Sequence, residues 1–454
     1  MFTNKKIHLI GIGGVSMSSI ALMLLNQGAI VTGSDIKQTD ITINLENKGI
    51  KIIYGHDKEM VKNADIIIYT AAISDEDPEK MAIKEYNKEG YERAEFLGML
   101  MKSYKNSLCI SGTHGKSTTT GMVSLIFLEA LKEPTIQVGA ILKQINGNTH
   151  IGKDDFFVLE ACEYVDSFLH FHPTGIIITN IDNDHLDYFK NLDNIKKSFQ
   201  KYVSLLPENG FLVKNNDDIN SNGLENYTKA KVITYGINNE STYMAKNIKF
   251  NNLGHYSFDI YENNNFITSI NLKVSGYHNI YNALSAFALS HAYITDIIAI
   301  KKGLEKYSGV GRRFEYLGTY NNALVFDDYA HHPSEINTTL ESVEKVKHNK
   351  CFAIFQSHTY SRTKDHLNDF AQVLSKFDNV IIAPIYPARE INTFNISEDM
   401  LVEKIKENGN NNVIYIDSFD KIVDYLKDVV KENDLVISIG AGPVNTVTKK
   451  LIEI

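Results

Sequence analysis

Short apolar runs recur along this chain, separated by polar stretches with helical spacing. Ile7–Ile10, Ile30–Gly33, Lys51–Tyr54 and Ile66–Tyr69 read as strands, with a helix over Val15–Gln27 between the first two. The Glu- and Lys-rich stretch Pro78–Gly90 and a second around Leu97–Tyr104 read as helices that close a first block near Asn106. A strand entering at Leu108 then runs into a glycine turn and a helix over Ser117–Leu131. Strands at Phe156–Leu159 and Ile176–Thr179 and a helix near Asn194–Leu206 continue this second block. From Phe211 to Val274 the pattern changes to short strands with Asn- and Gly-rich turns, which predicts an antiparallel edge. Helices over His278–Tyr293 and Ile298–Tyr307 follow. A third block begins around Arg312, with strands at Ala323–Phe326, Cys351–Phe355, Val380–Ala383, Val413–Ile416 and Leu435–Ser438 and helices between them. Strands that alternate with helices predict parallel sheets and an α/β fold.

Length agrees with this division, since 454 residues correspond to roughly three domains of about 150 residues. We expect boundaries at 1–106, 107–311 and 312–454. No Gly/Ser- or Pro-rich tether separates the blocks, which predicts short hinges. With 43% hydrophobic and 22% charged residues the composition is that of an ordinary soluble protein. The formal net charge of −9 argues against a broad nucleic-acid or anionic-membrane surface. The three cysteines, Cys109, Cys162 and Cys351, lie far apart and read as reduced thiols. No apolar run reaches a membrane span or a signal-peptide core, so a cytoplasmic location is expected. Tyr86, Tyr91 and Tyr104 follow no helical spacing and read as packing residues.

Most of the chemistry sits at the start of the second block. Gly112-Thr113-His114-Gly115-Lys116-Ser117-Thr118 follows a strand and opens a helix, the layout of a phosphate-binding loop. Its glycines allow a tight turn, Lys116 supplies a point charge, Ser117 offers a hydroxyl to Mg²⁺, and the helix N-terminus favours an anion. The general pattern places its first glycine earlier, where this chain has Ile110, so the loop is a shorter variant. Glu160 ends a strand and His185 follows another, so both belong to the crevice at the strand ends that holds the loop. Carboxylate and hydroxyl oxygens suit Mg²⁺, and His185 is a less usual ligand for it. Glu163 and Asp166 read equally well as loop charges.

Two other turns follow strands in the same way. Gly11-Ile12-Gly13-Gly14-Val15-Ser16 opens a helix, and Asp35 follows the next strand, as in a site for a nucleotide diphosphate. Ser16 takes the third glycine position, and a purely structural turn is the alternative. In the third block Asp327–Pro333 and Gln356–Arg362 each follow a strand. His331 and His332 before Pro333 read either as a metal site or as a helix start.

Together and in order, Gly112–Thr120, Thr179–Asp187, His278–Ala283, Gly311–Glu315 and Asp327–Pro333 resemble the Mur ligases, the ATP-dependent amino-acid-adding enzymes of peptidoglycan synthesis. The resemblance extends over the whole chain, including Gly11–Ser18 and Arg93-Ala94-Glu95. It implies a Rossmann-like N-terminal domain for a UDP-sugar. A central P-loop ATPase domain would carry a mainly parallel sheet plus a small antiparallel one, and a Rossmann-like C-terminal domain would take the amino acid. The implied reaction activates the carboxylate of UDP-N-acetylmuramate as an acyl phosphate and joins it to L-alanine, with ATP as co-substrate and Mg²⁺, two ions, as cofactor.

By matching position, the resemblance gives Lys116, His185, His331 and Arg362 catalytic roles. Gly112 to Thr118, Asn279 and Arg313 (of the pair Arg312–Arg313) would meet ATP, and Ser117, Glu160 and His185 would hold metal. Gly11, Gly13, Gly14, Ser16, Ser18 and Asp35 would face the UDP-sugar, with Tyr329 and His358 on the amino-acid side. Ser16 and Ser19 depart from the glycines usual there, and Pro443 stands where Asp is usual. The competing readings are a recycling ligase that attaches a murein tripeptide to the same UDP-sugar, a nicotinamide-dependent oxidoreductase and a non-catalytic UDP-sugar-binding regulator.

Overall fold

Each apolar run offered as a strand becomes one in the computed structural model, which describes residues 2–251, 254–309, 311–388 and 390–453. The first sheet comprises β1 (Lys6–Ile10), β2 (Ile30–Asp35), β3 (Lys51–Tyr54), β4 (Ile66–Tyr69) and β5 (Glu89–Glu92), in the order β3-β2-β1-β4-β5. All four pairings are parallel. Helices α1 (Val15–Asn26), α2 (Asp40–Asn47), α3 (Lys58–Asn63), α4 (Pro78–Glu85) and α5 (Arg93–Met101) alternate with these strands. The helix expected over Pro78–Gly90 is shorter. It stops at Glu85, Asn87 turns to a left-handed φ of 48°, and the charged segment Glu89–Glu92 pairs as an edge strand.

A ten-stranded sheet follows. It contains β6 (Asn106–Ser111), β7 (Pro134–Leu142), β8 (Gly147–His150), β9 (Lys153–Glu160), β10 (Gly175–Ile178), β11 (Phe211–Asn215), β12 (Lys231–Gly236), β13 (Tyr243–Phe250), β14 (His255–Glu262) and β15 (Asn265–Ser275). The order is β15-β14-β13-β12-β11-β10-β6-β9-β7-β8. Its helices are α6 (Lys116–Glu129), α7 (Leu186–Phe189), α8 (Leu192–Val203), α9 (His278–His291) and α10 (Ile297–Lys306). The expectation of an antiparallel edge from Phe211 onward is corrected for its first strands. β11 pairs in parallel with β10, β12 with β11, and β13 to β15 extend the same sheet instead of forming a separate small one. The reason is the crossover α8, which carries the chain back over the sheet so that β11 re-enters in the direction of β10.

The third sheet has β16 (Glu315–Tyr320), β17 (Ala323–Asp328), β18 (Cys351–Phe355), β19 (Asn379–Ile382), β20 (Val413–Tyr415) and β21 (Leu435–Ile439) in the order β16-β17-β21-β18-β19-β20. Only β16 runs antiparallel. Alternate residues of β18 feed cores on opposite faces, Cys351, Ala353 and Phe355 on one and Phe352 and Ile354 on the other. That is a doubly wound sheet with helices on both sides, among them α11 (Pro333–Val343) and α12 (Tyr360–Asp365). Among the described residues no helix is long and apolar enough to cross a membrane.

The chain divides into two compact units, one of Met1–Ile248, Phe258–Asn271 and His278–Ser308, the other of Lys249–Ser257, Leu272–Tyr277 and Gly309–Ile454. Within the first unit one hydrophobic core passes without interruption from Phe2 and Ile7 through Phe96 and Leu100 of α5 to Cys109, Phe157, Phe199 and Leu224. Tyr91 packs on Phe96 and Tyr104 on Phe157, as packing residues should. Gly98 lets α5 lie close against the backbone at His170, because a Cβ there would lie 2.0 Å from the His170 carbonyl oxygen. Fully burying a side chain such as Leu100 or Phe157 contributes roughly 1.5–3 kcal/mol.

Candidate functional site

The phosphate loop is shaped by the segment that follows β10. Thr113 N–H donates to the Asn180 carbonyl (3.0 Å), and His114 N–H donates to Asn180 Oδ1 (2.9 Å). Thr179 Oγ1 and Asn180 Nδ2 both donate to the His114 carbonyl, at 2.6 and 3.1 Å. Gly112, with φ +127°, passes so close that a Cβ would meet Thr179 Oγ1 at 2.1 Å. Short length is thereby built in, since the turn is braced from outside. Two loop amides are already engaged, which leaves the first-turn amides of α6, around Lys116, Ser117 and Thr118, to meet an anion. Asn282 of α9 stands against Gly115 and donates to Asn279 Oδ1 at 2.9 Å, so Asn279 is brought to the loop through its neighbour.

Lys116 folds back over this turn. Its Nζ donates to the carbonyls of Gly112 (2.6 Å) and Thr113 (2.9 Å) and lies 3.2 Å from Glu163 Oε2. Burial by itself lowers the lysine pKa, but the charge of Glu163, with Cys162 and Glu160 behind it, outweighs this and keeps the ammonium charged. Glu163 is buried, its Oε1 accepts from Lys116 Nζ at 3.3 Å, and its Oε2, paired in charge with the same ammonium, accepts no hydrogen bond among the described residues. With Asp184 and His185 it forms a group whose ligand atoms all lie within 4.8 Å of one another. Oxygen donors with one acceptor unsatisfied fit a hard divalent cation. His185 caps α7 with a left-handed φ of 52° and packs its ring 4.5 Å from that of Tyr164.

Among the described residues Glu160 stands outside that group, and its Oε2 accepts the Gly139 N–H at 2.8 Å. The two loop carboxylates that the sequence leaves equivalent separate clearly. Glu163 turns inward to Lys116, whereas Asp166 accepts from Tyr188 and Ser198. Ser117 lies partly exposed in the first turn of α6.

The Gly11–Ser16 turn is braced by Asp35. Its Oδ2 accepts the Gly13 N–H (2.8 Å) and its Oδ1 accepts the Ile36 N–H (2.8 Å), so its carboxylate supports the turn. Ser18 is buried and donates to the Val15 carbonyl at 2.9 Å, directed into the helix. Ser16 instead reaches out, accepting from Gln137 Nε2 (2.6 Å) and Arg93 Nη1 (3.3 Å). Asn148 Nδ2 donates to Ser19 Oγ (3.0 Å) and to the Val15 carbonyl (2.9 Å), joining β8 to α1. A cavity of about 220 Å³ opens here, lined by Ser16, Arg93, Gln137, Gly139, Glu160 and Cys162.

In the other unit four expected residues come together. The Tyr329 and His331 ring centroids are 5.5 Å apart, those of His331 and His358 6.0 Å, and Arg362 Nη1 lies 3.4 Å from His358 Nδ1. Burial, then the charge of Arg362, lowers the His358 pKa, and burial above all lowers that of His331, so both rings are held neutral. Arg312 binds Asp327 (3.0 Å) and the carbonyls of Gly440 and Gly442, and its guanidinium lies 5.0 Å from the Tyr329 ring centroid. Arg313, more exposed, stacks over Tyr329. His332 is the N-cap of α11 with Pro333 in the first turn, so the helix-start reading holds for it.

Sequence reasoning passed over Asn180, Asn282, Gln137 and Arg93 as site residues and left Glu163 undecided. The motifs Thr179–Asp187, His278–Ala283 and Arg93-Ala94-Glu95 carry a hint of Asn180, Asn282 and Arg93, and none points to Gln137.

Three family models match in order. They are described as Mur ligase family, catalytic domain (residues 6–105), Mur ligase middle domain (110–290) and Mur ligase, glutamate ligase domain (312–442). A UDP-N-acetylmuramate–L-alanine ligase of Acetivibrio thermocellus is 47% identical over 450 residues, covering 99% of this chain and 96% of that protein. Its counterpart in Caldanaerobacter subterraneus is 45% identical, covering 99% and 97%. The crystal structure of UDP-N-acetylmuramate-alanine ligase from Thermotoga maritima superposes with a TM-score of 0.84 at 28% identity, covering 99% of each chain. A murein peptide ligase from Psychrobacter arcticus has a TM-score of 0.71 at 24% identity over 99% of this chain and 98% of that one, a likeness of fold alone.

Proposed function

Because this chain belongs to the Mur ligase family, we propose that it joins L-alanine to the carboxylate of UDP-N-acetylmuramate at the expense of ATP, a step of peptidoglycan precursor synthesis. The observation that carries the chemistry is the charged Lys116 at the strand-end loop beside Glu163, Asp184 and His185. The sugar-nucleotide carboxylate attacks the γ-phosphorus, and ADP leaves with the bridging electron pair. The alanine amine then attacks the acyl carbon, and phosphate leaves. Lys116 and the first turn of α6 offset charge on the transferred phosphoryl oxygens.

Ser117, Glu160 and His185, with Glu163 beside them, would hold Mg²⁺, up to two ions, which supplies further neutralisation of those oxygens. The turn at Gly11–Ser16, with Asp35 as its brace, takes the UDP end. In the third block, neutral His331 and His358 suit the approach of an amine, and Arg362 suits a carboxylate. Arg313 and Asn279 serve the nucleotide. Domains at 1–106, 107–311 and 312–454 divide these tasks, and the substrates place the reaction in the cytoplasm.

The test is ADP release with UDP-N-acetylmuramate across amino acids. Dependence on L-alanine supports this reading, and release driven by murein tripeptide alone overturns it.

A further inference from the structure

β7 presents Gln137 and Gly139 on one face, two residues apart, to the cavity lined also by Ser16, Arg93, Glu160 and Cys162. Gly139 fixes the Glu160 carboxylate, while Gln137 crosses to the first turn of α1. Its amide is used on one side only. Nε2 donates to Ser16 Oγ at 2.6 Å, and among the described residues Oε1 has no hydrogen-bond partner although Gln137 is 6% exposed. Arg93 donates to the same hydroxyl, so Ser16 Oγ accepts twice and keeps its own hydrogen to donate. That hydrogen sits in the first turn of a twelve-residue helix, where backbone amides also favour an anion. A buried amide oxygen left unmade is costly, and a substrate donor removes that cost.

We propose that Gln137 is a specificity-determining residue for the sugar-nucleotide. Ser16 holds its Nε2, and its Oε1 accepts a hydrogen from the hexosamine, an N–H or a hydroxyl. The inference rests on UDP-N-acetylmuramate being the substrate. Gln137 also fixes the Ser16 hydroxyl as a donor to the diphosphate, so a residue of the second block sets the geometry of the first.

The full chain tests this through its three KM values. Gln137→Met is expected to raise KM for UDP-N-acetylmuramate roughly tenfold, with kcat and the KM values for ATP and L-alanine within about twofold. An unchanged sugar-nucleotide KM in Gln137→Met, or an equal rise of all three values with a lowered melting temperature, overturns the proposal. Should Gln137→Met fold poorly, Ser16→Ala asks the same question, and an unchanged sugar-nucleotide KM there overturns it too. A parent enzyme that does not turn over UDP-N-acetylmuramate with L-alanine instead sinks the functional reading itself.

Discussion

Glu163, Asp184 and His185 share their chemical make-up with a second group, His56, Asp77 and Glu79, in the first block. In both, the ligand atoms lie within 4.8 Å of one another. The second group is closed. Glu79 is fully buried, its Oε1 accepts from Asp57 N–H (3.1 Å) and meets His8 Nε2 at 3.2 Å, and its Oε2 accepts from Ser34 (2.6 Å). His8 in turn meets Thr32 at 2.9 Å, so the cluster ties β1 and β2 to the start of α4. At the phosphate loop the Glu163 carboxylate meets the Lys116 ammonium, and its Oε2 accepts no hydrogen bond among the described residues. This group stands at strand ends beside a lysine, where a ligand would arrive. Satisfaction and placement, not residue type, separate a brace from a site.

Four changes test that contrast. Lys116→Ala is expected to lower ADP release by roughly three orders of magnitude while circular dichroism still reports a folded chain. His185→Ala should cost about 10- to 100-fold in the same assay, with the melting temperature little changed. Glu79→Gln should do the reverse, costing about 2 kcal/mol in urea unfolding while activity per folded molecule stays within about twofold. A large kinetic defect in Glu79→Gln would erase the distinction.

The smallest effect is a pH flank. Burial raises the Glu79 pKa, but the bonds from His8, Ser34 and Asp57 outweigh it and leave the carboxyl below its usual 4.5. The brace therefore contributes fully above 4.5, and its contribution is lost as pH falls through the lower folded value. The stability gap between parent and Glu79→Gln should narrow as pH falls below 4.5. Lys116, raised above its usual 10.5, contributes below that value and loses its share in strong alkali, the opposite flank.

Strands with apolar runs, β7 apart, and the phosphate loop were legible in the sequence because local spacing determines them. β16 was not, since its residues alternate half-exposed along an edge, and β5 was not, since its charged residues read as helix. Contacts across the fold were the larger loss. Asn180 braces a loop 66 residues away, and Gln137 reaches a hydroxyl 121 residues away, distances at which no local pattern exists. Glu163 was undecided for a related reason. The chain bends after it through left-handed Val165 and Asp166, so its direction follows from backbone turns that composition does not encode.

The uninterrupted core from Phe2 to Leu224 joins the sheet behind the Gly11–Ser16 turn to the sheet behind the phosphate loop, so the two are expected to melt together. A ligand held at either end then protects both. Sugar-nucleotide at about 100 times its Kd adds roughly 2.7 kcal/mol to the unfolding free energy of the whole unit.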